Sequence, residues 1–105
     1  MRLLLALLTI ALTAAAHAAP YPLGTMTCDD IGEFASEAMR WRKGGLSQAQ
    51  ALARLDEREY GDLVEKKNLT VIVGLVYGGY GNNWSVEGAG RVMRGDCLRG
   101  RDTAQ

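Results

Sequence analysis

The chain has 105 residues, with 12 Lys and Arg against 12 Asp and Glu, one His and two Cys. That length makes a single domain, and a balanced charge gives no general attraction to nucleic acid or to an anionic lipid surface. The one histidine, His17, falls in a segment read below as removed, which excludes Ser-His-Asp and Cys-His catalysis and His-Cys zinc sites from the remainder.

Met1 and Arg2 precede an apolar run from Leu3 to Leu12, and small residues follow to Ala19. This is the order of regions in a secretory signal, and the run is too short to span a membrane. Ala16-His17-Ala18 has the small-x-small pattern of a cleavage site. Residues 1–18 are therefore predicted to be removed after Ala18, leaving no membrane span, no cysteine at the cut to carry a lipid and no histidine. Loss of Arg2 leaves one more acid than base, a formal charge of −1.

A remainder of roughly 90 residues has little stability in hand from core burial alone. An even cysteine count in an exported chain predicts one disulfide, Cys28 to Cys97, which on the chain-entropy account contributes about 4 kcal/mol.

Residues 19–26 contain both prolines and a glycine, and are predicted as an extended lead-in. Thr27-Cys28-Asp29-Asp30 has capping-box spacing and opens a first helix. Its inward positions are Ile31, Phe34, Ala35, Ala38 and either Trp41 or Met39, with Glu33, Glu37, Arg40 and Lys43 on the other side. Arg40, Arg42 and Lys43 suit the negative end of the helix dipole, and Gly44-Gly45 stops it. Ser47-x-x-Gln50 is a second capping box, before a short helix over Ala49 to Leu55 with Leu52 and Leu55 inward.

Gly61 breaks the pattern before a segment running from about Asp62 to Tyr77. Leu69 to Tyr77 is rich in β-branched residues, so helix and strand both fit. A lone strand would lack a partner, which favours helix. Gly78 to Asn83 reads as a loop, and Ser85 caps a fourth helix with Val86, Ala89, Val92 and Met93 inward. Gly88 and Gly90 permit close packing against a neighbour, and Gly95 is predicted to end the helix. Residues 27–98 thus form an all-α bundle of about four helices stapled by one disulfide, with 99–105 a polar tail.

No catalytic, cofactor-binding or metal-binding residue is predicted. Glu33, Glu37, Asp56, Glu57, Glu59 and Glu87 could supply the two carboxylates of a glycan-cleaving enzyme, but nothing sets a pair apart. Glycines between Gly74 and Gly81 are followed by no phosphate-loop lysine. Tyr77, Tyr80, Asn82, Asn83 and Trp84 gather aromatic faces and amides on one loop. Of these Tyr77, Tyr80, Asn83 and Trp84 are the candidate contacts for a partner protein, a peptide or a glycan, unless the rings pack back onto the domain. Arg91, Arg94, Arg99 and Arg101 read as a solvated helix end. Asn68-Leu-Thr70 and Asn83-Trp-Ser85 are glycosylation sequons, meaningful only in a eukaryotic source.

Cys28, Ala38-Met39-x-x-Arg42-x-Gly44, the Val76-Tyr77 pair and Cys97 together resemble small exported one-disulfide helical proteins of Gram-negative bacteria, a set with no assigned activity. The resemblance spans most of the remainder and implies a periplasmic helical domain. Thr27-Cys28-Asp29-Asp30 is also similar to the region around the first cysteine of acid-activated periplasmic chaperones, a likeness of about four residues. The favoured expectation is a non-enzymatic periplasmic binding protein: an inhibitor, an immunity protein or a small chaperone. A cell-wall glycan-binding accessory and a carboxylate-only enzyme are the alternatives.

Overall fold

The structure, a computed structural model, describes residues 23–103. The signal segment over 1–18, its cleavage point and the first part of the lead-in lie outside the described residues. Four α-helices follow in order: α1 (Cys28–Lys43), α2 (Gln48–Asp56), α3 (Leu63–Tyr77) and α4 (Val86–Thr103), with a 3-10 turn at Gly79–Gly81 before α4. No strand is present among the described residues, and the 69–77 stretch is helical.

Local sequence sets the starts of the first two helices and the end of the first. Thr27 Oγ1 accepts from Asp30 N at 3.1 Å while the Asp30 carboxylate accepts from Thr27 N at 2.9 Å. Ser47 and Gln50 make the same reciprocal pair at the start of α2. Such caps satisfy backbone N–H groups that the helix leaves open. Gly44 N–H donates to Arg40 O, and Gly45 turns the chain away at φ 93°, a conformation that suits glycine.

The helix α1 is central. The largest interface in the domain is between α1 and α4, α3 lies against both α1 and α2, and α3 and α4 scarcely touch each other. Ile31, Ala35, Ala38 and Met39 of α1 meet Leu55 of α2, Ile72, Val73 and Val76 of α3, and Ala89 and Met93 of α4 in one core. Burying each larger side chain contributes about 1.5 to 3 kcal/mol. Of the two inward candidates at the end of α1, Met39 is fully buried and Trp41 is half-buried. Ala51 rather than Leu52 is the buried partner of Leu55.

The α1–α4 crossing brings backbones together. A Cβ on Gly32 would stand 2.9 Å from Gly90 O, and one on Gly90 would stand 3.0 Å from Gly32 O. Only glycine allows so close an approach. Beside it Ser36 Oγ donates to Val86 O at 2.8 Å, and Asp29 pairs with Arg94. Cys28 and Cys97, both buried, form the disulfide between the start of α1 and the second half of α4, with their Cα atoms 5.5 Å apart.

On the opposite side, a stack of rings and guanidinium groups holds α2. Phe34 and Trp41 meet edge to face at 5.8 Å, Arg54 lies 5.2 Å over Trp41, and Arg58 lies 5.3 Å over Phe34 while pairing with Glu37 at 2.8 Å.

Two boundaries differ from expectation. The helix α4 continues through Gly95 to Thr103 and takes in the first part of the expected tail. An interior glycine costs a helix about 1 kcal/mol, which the bridge and the buried Met93 and Cys97 outweigh. The described end of the lead-in is a packed turn rather than an extended segment without structure of its own: Met26 N–H donates to Leu23 O at 2.9 Å, and Met26 is buried beside Asn68. Its apolar side chains had a place on the core.

Candidate functional site

The segment from Tyr77 to Ser85 turns the chain from α3 into α4. Gly78 N–H donates to Gly74 O, and Gly81, Asn82 and Trp84 N–H donate in turn to Gly78, Gly79 and Gly81 O. Gly81 presses on the last turn of α3, since a Cβ there would stand 2.3 Å from Val76 O. Ser85 then caps α4, its Oγ accepting from Gly88 N at 2.9 Å.

The last turn of α3 contains no cation of its own. Arg42 of α1 supplies one. Its Nη1 donates to Val76 O at 2.7 Å and to Gly78 O at 3.3 Å, and its Nη2 donates to Asn82 Oδ1 at 2.7 Å. One guanidinium thus satisfies open carbonyls of a helix end, complements the dipole and fixes the loop. The expected role for Arg42 was at the end of its own helix. The missing cation in α3 is the signal that could have pointed across to it.

The four expected contact residues divide. Tyr77 is half-buried and its hydroxyl donates to Leu46 O at 2.8 Å, so it anchors the end of α3 to the α1–α2 connection. Burial pushes its phenol above the ordinary tyrosine value, while Arg42 and Arg54 pull the other way. Trp84 is half-buried and packs against the core. Tyr80 stands out at 63% exposure, its ring 5.2 Å from that of Trp84 and nearly perpendicular to it. Asn83 is exposed. Tyr77 and Trp84 thus pack back onto the domain, while Tyr80 and Asn83 face solvent. No side chain from Gly78 to Ser85 is charged.

Other surfaces are less organised. Asp30, Glu33, Glu37 and Glu65 line a shallow cleft with Met26 and Arg58. Asp30 is used as a cap and Glu37 is paired with Arg58. Among the described residues, no group of three or more His, Cys, Asp and Glu could hold a metal ion. Leu63, at 79% exposure, and Val71 leave an apolar strip on α3 beside Lys66 and Lys67. No described helix is long and apolar enough to cross a membrane. Of the two sequons, Asn68 is buried within α3 and Asn83 is exposed in a turn.

In comparisons with known proteins, the chain matches no family model, no curated protein and no solved structure.

Proposed function

We propose that this protein is a non-enzymatic, exported binding protein of the periplasm, acting as an inhibitor, an immunity protein or a small chaperone through the loop of Tyr80 and Trp84. One observation carries the reading: a large aromatic side chain stands out from a loop that two bonds from Arg42 hold in place beside a third to the last turn of α3. Exposed Tyr and Trp dominate interface energetics, and a loop already ordered loses little entropy on binding. The signal-like start and the single stapling bridge suit an extracytoplasmic life.

Capture from periplasm with the wild-type protein and with Tyr80→Ala tests this. A partner protein retained by the wild type and lost from a folded Tyr80→Ala variant supports the reading, and equal retention by both sinks it. Recovery of peptidoglycan fragments in place of a protein would favour the glycan-binding alternative.

A further inference from the structure

A further cleft lies where the end of α1 turns into α2. Arg40, Trp41, Gly45 and Leu46 line it from one side, and Gln50 and Arg54 from α2. Two guanidinium groups thus reach it from separate helices, and no acidic residue lines it. Among the described residues, neither Arg40 nor Arg54 forms an ion pair or donates a hydrogen bond. Cations at a helix end commonly serve its open carbonyls. Here Arg40 O, Trp41 O and Arg42 O already accept from the N–H groups of Gly44, Leu46 and Gly45. Glu37, one turn before Arg40, is taken by Arg58. Arg54 lies 5.2 Å over the Trp41 ring, a contact that restricts its position without using its N–H groups. A Cβ on Gly45 would meet nothing within 4 Å, so the rim is open, and half-buried Trp41 and Leu46 give the cleft an apolar wall.

We infer that this cleft receives carboxylate side chains from an acidic segment of a partner protein. The guanidinium fork matches the two oxygens of a carboxylate, and the bonds are charge-assisted. Two such forks on separate helices suit two neighbouring acids. A lipid surface or a nucleic acid calls for an extended field of cations, whereas this charge is confined to one cleft of a chain with 12 cations and 12 acids. The cleft adjoins the candidate loop, since Leu46 O accepts from the Tyr77 hydroxyl. The inference rests on the protein-binding reading but not on the loop, so the two surfaces can fail separately.

The test is an NMR titration of the exported chain with acetyl-tetraglutamate amide, run beside inorganic phosphate, following backbone amides and arginine Nε–H groups. The peptide should shift Arg40 and Arg54 Nε–H and the amides of 44–46. Arg40→Gln and Arg54→Gln should each weaken binding about three- to tenfold. Arg91→Gln removes the same charge from α4 and should leave the affinity unchanged. An unresponsive cleft at millimolar peptide, an equal response to phosphate, or an Arg91→Gln loss as large as that of Arg40→Gln overturns the inference. Partner capture that survives the double variant Arg40→Gln, Arg54→Gln but is lost in Tyr80→Ala also overturns it, and leaves the protein-binding reading standing.

Discussion

At its N-terminal end α1 is tied to α4 by a covalent bond, a cross-helix ion pair and a bare backbone crossing at Gly32 and Gly90. At its C-terminal end α1 is tied to α3 and the candidate loop by the polar fan of Arg42. The first attachment restricts the unfolded chain as much as it stabilises the folded one. The second acts only in the folded state, through three geometry-dependent bonds. Damage to the covalent end should therefore be global, and damage to the polar end local, so the candidate loop can loosen while the fold persists.

The largest test of that contrast is Cys28→Ser with Cys97→Ser. Removing the cross-link over 69 residues should cost about 4 kcal/mol, read from urea unfolding, which in a domain of this size approaches the whole of its stability. A loss under about 1 kcal/mol would show that packing alone holds α1 to α4.

Gly90→Val comes next. Its Cβ would stand 2.4 Å from Ser36 Oγ and 3.0 Å from Gly32 O, so the helices must separate. The expected cost is about 1 to 3 kcal/mol, and an unchanged denaturation midpoint would contradict the close crossing.

Arg42→Met should cost a similar or smaller amount, about 1 to 3 kcal/mol for several bonds to unpaired carbonyls. Its signature is positional. Hydrogen exchange should quicken over residues 78–84 while amides near Cys28 and Cys97 keep their protection, and uniform quickening would erase the distinction between the two ends.

The smallest effect is a pH dependence. Burial raises the phenol pKa of Tyr77, and that of Tyr60, above 10.0, so the fold favours the neutral ring. Above about pH 10 the unfolded chain releases protons that the folded one keeps, and stability falls as pH rises. Below that pH the contribution is fully present. Tyr77→Phe should lower stability near neutral pH by about 1 kcal/mol through loss of the bond to Leu46, yet show a shallower alkaline decline in urea midpoints than the wild type.

What the sequence discloses and what it hides follow the same division. Thr27 with Asp30, Ser47 with Gln50, and Ser85 as a cap act within three residues, and all were legible. So was the bridge, because two cysteines allow one pairing. Helix type over Leu69 to Tyr77 was not decided locally, since β-branched residues favour strands while burial of Ile72, Val73 and Val76 on α1 makes the segment a helix. Gly95 looked like a terminus because local propensity says nothing of Cys97 two residues on. The Arg42 fan left one trace, the missing cation at the end of α3, but its partners lie 34 to 40 residues away along the chain and no local rule names them. The exposed Tyr80 and the anchored Tyr77 carry the same residue type three positions apart, and only the packing separates them.

The bridge has a mechanical consequence. With Cys28 and Cys97 joined across 69 residues, tension applied at the two ends of the chain runs through the sulfur pair and bypasses α2, α3 and the loop. Under load the domain would give up only its short outer segments, and the Tyr80–Trp84 surface would stay presented. Reduction removes that shunt, and single-molecule stretching from the termini should then gain about 240 Å of contour, at roughly 3.5 Å for each residue released.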